Sequence, residues 1–284
     1  MYLTFFDRSV PVGYNVRLTE YGNGSAQIRL YDQAMQLGPG TNHQKKKMNP
    51  IATEPFSGTK VIEIDDFNDV GPKTDPLELR NISLSRTKRK IYEYSQSIPW
   101  EYFITLTFDP QKVDRSNYQL CCKRVCRWLW YIRQHHSPDL RYLIVPELCK
   151  DGASFHFHGL IANVGSLKLI DSGHLISGKT AFNIVNWHYG FSTAFQLQAD
   201  NLYRISRYIT KYMTKACHAL AHGAHRYFVS KNLPVPKNSI FFIEPGEEYQ
   251  IICDIADRLN MRIVHSTKSE GNYTGMIYVD LEPL

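Results

Sequence analysis

Hydrophobic positions recur with two periods along this chain, and the change from one to the other marks the expected elements. Near the N-terminus, Tyr14–Leu18 and Gln27–Tyr31 alternate around Tyr21-Gly22-Asn23-Gly24, which predicts a hairpin over residues 13–33. Residues 35–80 are polar and turn-rich, with Lys45-Lys46-Lys47 ahead of an acidic run from Glu63 to Asp69. Such a stretch predicts a loosely ordered connector, with a short strand at Lys60–Ile64. A basic helix is expected at Ser83–Tyr92.

From about residue 98 the pattern becomes that of a folded core. Tyr102–Phe108 is rich in β-formers and closes at Asp109-Pro110, a strand ended by a turn. Over Ser116–Gln134, Tyr118, Cys122, Val125, Leu129 and Ile132 recur at helical steps, and Ser116 with Gln119 can form a capping box. Lys123, Arg124, Arg127 and Arg133 fall largely off that stripe and read as a solvated face rather than a DNA contact. Two short apolar strands follow, Arg141–Glu147 and Phe155–Leu160, then an irregular stretch to Asn186 and a strand at Phe191–Gln196. Asn201–Lys215 is helical in pattern, with Leu202, Ile205, Ile209 and Met213 as its buried stripe. Tyr208 and Tyr212 lie one turn apart on it. The tail predicts strands at Ile240–Ile243, Gln250–Cys253 and Met276–Leu281, and a short helix near Ile255–Asn260.

The candidate chemistry sits in Phe155-His156-Phe157-His158-Gly159. Alternate strand residues share a face, so the two imidazoles lie side by side and the two phenylalanines turn to the core. An isolated His-x-His is more often a pair of polar positions facing water, but here the surroundings matter. Asp151-Gly152 is a strong hairpin signal between the two strands. With those two residues at the centre of the turn, Glu147 stands opposite His156, Cβ atoms ~5 Å apart. A three-residue loop would instead put Glu147 on the wrong face unless a bulge corrected it. Pro146 suits a strand end at an irregular position. One carboxylate and two imidazoles at such a place can hold a divalent metal.

Composition narrows the class. The 284 residues are 43% hydrophobic, enough for a sizeable core, and the net charge of +6 suits a nucleic-acid partner without demonstrating one. The six cysteines (121, 122, 126, 149, 217 and 253) show no paired Cys-x-x-Cys spacing, which argues against a zinc ribbon or disulfide framework and for a reducing cytoplasm. No signal peptide or bilayer-length apolar stretch is recognisable, so a soluble intracellular protein is expected. Gly173-His174-Leu175-Ile176-Ser177-Gly178-Lys179-Thr180 matches the phosphate-loop template by letter. No Walker-B strand follows it and there is no room for an NTPase sheet, so no built-in helicase is expected. His218, His222 and His225 near a helix end do not make a second metal site.

Taken in order, Phe103–Phe108, Val145-Pro146-Glu147 with Lys150-Asp151-Gly152, His156-Phe157-His158-Gly159, Trp187-His188-Tyr189-Gly190 and Tyr208–Lys215 resemble the rolling-circle replication initiators of small single-stranded DNA phages and related elements. These endonucleases are named for their histidine–hydrophobic–histidine (HUH) motif. The resemblance covers about residues 83–235; Cys149 departs from it, standing where phage initiators of this type often carry a histidine. It implies an α+β fold, a central antiparallel sheet with flanking helices in the ferredoxin-like palm arrangement. The expected organisation is a hairpin extension at 1–34, a connector at 35–82, the endonuclease domain at 83–240, and a C-terminal extension at 241–284 packed on the core. It further implies Mg²⁺ or Mn²⁺ on Glu147, His156 and His158, and attack by Tyr208 or Tyr212 helped by Lys211 and Lys215. The expected product is a 5′-phosphotyrosine with a free 3′-hydroxyl, followed by strand transfer or ligation. Arg86, Lys88, Arg204 and Arg207 are candidate DNA contacts. The implied partners are a single-stranded origin and a host helicase and polymerase, in a bacterial cytoplasm. A relaxase or transposase of the same chemistry, or a non-catalytic single-strand-binding module, are the alternatives.

Overall fold

The computed structural model describes residues 12–37, 62–63, 76–176, 178–198, 206, 208–209, 224–270 and 275–284. The chain divides into two compact units, Thr74–Pro234 and a second made of Met1–Lys73 with Val235–Leu284. In chain order the first elements are β1 Val12–Glu20, β2 Ala26–Leu37, β3 Ile62–Glu63 and the helix α1 Pro76–Ser95. Then come β4 Tyr102–Leu106, α2 Tyr118–His135, β5 Arg141–Leu148, β6 Phe155–Ala162, β7 Leu169–Ile176, β8 Lys179–Ile184, β9 Ser192–Gln196 and β10 Phe228–Val229. The last are β11 Lys237–Phe241, α3 Glu248–Leu259, β12 Met261–Glu270 and β13 Gly275–Pro283. The fold is α+β, with two antiparallel sheets and, among the described residues, these three helices.

The Thr74–Pro234 unit holds the sheet β10-β5-β6-β4-β9-β8-β7. Both β4 and β5 pair antiparallel with β6, so they run parallel to each other with β6 between them, joined by α2. Strand alternation gives this sheet two apolar faces. On one, Ile104, Leu106, Ile144, Phe157 and Ile161 pack with Val125, Trp128, Leu129 and Ile132 of α2. On the other, Phe103, Leu143, Val145, Leu160 and Ala162 pack with Leu84 and Ile91 of α1 and with Ile209. The predicted stripe of α2 is the one that packs, but its cap differs. Asn117 accepts from the Leu120 backbone N–H, so the Ser116–Gln119 capping box does not form.

The second unit holds the sheet β12-β13-β2-β1-β11-β3. Val16, Ile28, Phe241, Val279 and Leu281 share a core with Ile251, Ile255 and Ala256 of α3. On the alternate positions, Arg17 and Thr19 donate to Asn238 and Gln27 donates to Asp280.

Several boundaries differ from expectation. The N-terminal hairpin and the C-terminal strands form one sheet, and β11 pairs with β1, so residues 235–240 go with this sheet and not with residues 83–234. The helix expected from Ser83 starts at Pro76, where proline's fixed φ suits a first helical turn, and β2 runs on to Leu37. The connector is thereby trimmed at both ends; residues 38–61 and 64–75 lie outside the described residues. Gln250–Cys253 is helical, because Ile251, Ile255 and Leu259 recur at helical spacing and Asn260 closes α3 in the left-handed region at φ 54°. The stretch before Asn186 forms the β7–β8 hairpin, whose strands are mostly polar and solvent-exposed, so no apolar alternation marks them.

Candidate metal centre

The β5–β6 hairpin builds the centre. Its register pairs Glu147 with His156 and Val145 with His158, as the turn argument requires. The turn itself is wider than two residues: the Cys149 N–H donates to the Ser154 carbonyl at 2.8 Å, leaving four residues between them. Of these only Gly152 is left-handed, at φ 71°, while the Asp151 carboxylate accepts from the Ala153 and Ser154 N–H groups. The loop is symmetrical about the same point, so the register survives the change of turn. Those hydrogen bonds, with Arg115 nearby, bring Asp151 down to about 2.

Three ligand atoms converge above the sheet. Glu147 Oε2 lies 2.8 Å from His156 Nε2 and 2.6 Å from His158 Nε2, and the two Nε2 atoms are 3.0 Å apart. Donor atoms ~2.1 Å from one ion and at right angles to each other stand ~3 Å apart, so this triangle matches one face of an octahedral shell. Each ring has an outer partner: His156 Nδ1 lies 3.1 Å from Cys149 Sγ, and His158 Nδ1 lies 3.1 Å from Thr105 Oγ1. A ring that donates its Nδ1–H there turns the Nε2 lone pair to the centre, as a ligating histidine requires. With Nε2–H on both rings, two hydrogens would face each other. Glu147, His156 and His158 are thus a group able to hold a metal ion.

Burial sets the electrostatics. For Glu147, burial raises the pKa, but the hydrogen bond and charge of His158 and the charge of His156 outweigh it and leave the carboxyl below its ordinary value. Burial pushes His156 below its ordinary value, and the neighbouring His158 pushes the same way. The folded chain therefore holds the neutral His156 ring that a metal needs. A lowered histidine pKa means that the unfolded chain binds more protons, so this stability is full above ~6.5 and is lost as pH falls through the folded value. Glu147 has the same sign in the carboxylate range. The metal-free protein is expected to lose melting temperature from pH 7 towards pH 5, and Mn²⁺ affinity should fall over that interval. Melting curves and metal titrations of the native chain and His156→Ala test this; the variant should show a flatter pH dependence.

Tyr208 is the predicted nucleophile that falls within the described residues. Ser206, Tyr208 and Ile209 are helical; Ser206 and Ile209 are buried, while Tyr208 is 47% exposed. Its ring stands edge-on to Phe103 at 5.5 Å, and Phe103 stacks on His158 at 5.5 Å. One aromatic ring thus separates the tyrosine from the histidine pair, on the same face of the sheet. Arg204, Arg207, Lys211, Tyr212 and Lys215 lie outside the described residues. On α1, which packs on this face, Arg86 is exposed and Lys88 half-buried.

Thr105, Cys149 and Phe103 were not among the predicted site residues. Thr105 and Phe103 were legible in principle, since alternation on β4 sets both on one face, but only the β4–β6 register shows which face. Trp187 of the Trp187–Gly190 motif is buried and donates to the Thr107 carbonyl at 3.0 Å. A Cβ on Gly190 would meet that carbonyl at 2.2 Å, which accounts for glycine there. The phosphate-loop pattern lies in the β7–β8 hairpin and not in a loop that opens a helix. His225 is exposed, and His218 and His222 lie outside the described residues. No described helix is long and apolar enough to cross a membrane.

Residues 101–217 match the family model described as replication-associated protein ORF2. This stretch holds β4 to β9 and the tyrosine motif, and the match agrees with the resemblance to rolling-circle replication initiators. No curated protein and no solved structure matches the chain.

Proposed function

We propose that this protein initiates rolling-circle DNA replication by nicking one strand with a tyrosine nucleophile at the Glu147–His156–His158 centre. The observation that carries this reading is the convergence of those three ligand atoms one aromatic ring away from the exposed Tyr208. The parallel β4 and β5 around β6, joined by α2, fit a palm of the HUH type. A divalent ion held by the three residues, Mg²⁺ or Mn²⁺, would polarise the scissile phosphate and offset charge in the transition state.

In the proposed reaction the Tyr208 or Tyr212 oxygen forms a bond to phosphorus, and the bond from phosphorus to the 3′-oxygen breaks. The tyrosine gives up its proton and the 3′-oxygen gains one, leaving a free 3′-hydroxyl for a host polymerase. The phosphotyrosine conserves the phosphodiester for later transfer or ligation. With a reference pKa near 10, a tyrosine needs a neighbouring cation, and Lys211 and Lys215 fill that role here. Tyr227 is a poorer nucleophile, because burial and the nearby Tyr94 and Glu93 raise its pKa. A non-catalytic binding module gains nothing from a carboxylate aimed at two imidazoles. A relaxase or transposase shares the chemistry and differs in the DNA it processes.

Without a helicase of its own, the chain should cut single-stranded or melted origin DNA and leave relaxed duplex intact. Binding should weaken as salt rises, through Arg86, Lys88, Arg204 and Arg207. Incubation of origin-bearing DNA in each form with Mn²⁺ or EDTA, followed by denaturing electrophoresis, tests the proposal. Equal cleavage of relaxed duplex, or undiminished cleavage in EDTA, contradicts it.

A further inference from the structure

The helix α2 packs on the sheet face opposite the metal centre, and its outer surface has a composition that packing does not explain. Its eighteen residues include Lys123, Arg124, Arg127 and Arg133 and no acidic side chain. Arg124 is engaged over the ring of Tyr189, at 5.3 Å, whereas Lys123 and Arg127 are exposed. Trp130 continues their stripe at helical spacing and is 60% exposed, while the other three tryptophans, Trp100, Trp128 and Trp187, are buried. Beside Trp130 a groove of about 330 Å³ runs between α2 and the β10 edge of the sheet. Tyr142 and Phe228 line it, with Arg133 and Gln134.

We propose that the outer face of α2 is a second, sequence-tolerant track for single-stranded DNA. Phosphates lie along Lys123 and Arg127, and a base stacks against Trp130 at the groove. The strand held there is not the one under attack, because the metal ligands face the other side of the sheet; it is flanking or displaced single strand. This rests on the reading that the chain processes DNA. The occupant follows from complementarity: cations without acids attract a polyanion, and aromatic side chains offer bases a stacking surface that any sequence can use. A second copy docked symmetrically here would bring the same cations against each other.

The test uses the full chain in EDTA with a twenty-nucleotide oligothymidylate. Trp130 is the exposed tryptophan, so saturable quenching of intrinsic fluorescence is expected, and it should persist in the His156→Ala, His158→Ala variant. Anisotropy with a labelled oligonucleotide should show about ten-fold weaker binding for Trp130→Ala. For Lys123→Ala, Arg127→Ala, the slope of log affinity against log salt should fall by ~1.4, two phosphate contacts at ~0.7 each. Both variants should form the tyrosine adduct on a short origin strand as the native chain does.

Fluorescence unmoved by saturating oligonucleotide overturns the proposal. So does native affinity and salt slope in the variants, or a dimer in sedimentation that Trp130→Ala abolishes without changing DNA binding. Loss of quenching with adduct formation intact removes this track alone; quenching without any adduct removes the proposed nicking and leaves the track.

Discussion

Replacing His156 and His158 together by alanine is expected to lower metal-dependent cleavage of a single-stranded origin by about three orders of magnitude, to the level seen in EDTA. The size follows from the several kcal/mol that a bound ion contributes at a phosphate in the transition state. The fold should persist. The rings stand on the metal side of β6, while Phe155 and Phe157 on the other side supply its burial against the α2 core. Circular dichroism and melting curves of the metal-free variant should therefore stay close to those of the native chain. Glu147→Gln, which keeps the shape and removes the charge, should weaken Mn²⁺ binding. Full cleavage by the double histidine variant would leave the centre without a role.

Exchange of Tyr208 and Tyr212 for phenylalanine is the second large effect expected. Phenylalanine keeps the edge contact of residue 208 with Phe103 and removes only the hydroxyl, so stability should change little. The double variant should form no covalent adduct, with cleavage down by at least ~10³-fold, the loss expected for removal of a nucleophile. At least one single variant should retain the first cleavage, because two tyrosines one helical turn apart can each approach one phosphate. Such a pair permits alternating attack: one tyrosine holds the old 5′ end while the other cuts the regenerated origin. Quantified adduct formation by the three variants separates this from a single reactive tyrosine. Two silent single variants would mean that both hydroxyls serve one step.

The metal centre was legible because it is local. Alternation in Phe155–His158 and a turn centred on Asp151-Gly152 decide which three side chains meet, and the Glu147–His156 pairing follows without any long-range contact. The outer shell was not. Thr105 reaches His158 from a strand fifty-three positions away, and nothing in either segment encodes that β4 pairs with β6. The same limit applies to the second sheet, where β1 joins β11 and β2 joins β13 across more than two hundred residues. The hairpin after residue 168 escaped for another reason. Its strands are held by backbone pairing with little apolar burial, so periodicity is silent there. In α2 the sequence revealed the charges but not their company, since the groove at Trp130 forms only when β5 and β10 come alongside.

The most direct test of the central claim is to map the covalent adduct. The native chain is incubated with an origin-bearing single strand and Mn²⁺, digested with nuclease and protease, and the peptide that retains a 5′-phosphonucleotide is sequenced by mass spectrometry. The account predicts phosphotyrosine at Tyr208 or Tyr212, formed only with metal and absent from the His156→Ala, His158→Ala variant. An adduct on Tyr203 or Tyr227, or cleavage products that carry a free 5′-phosphate with no protein attached, would contradict it.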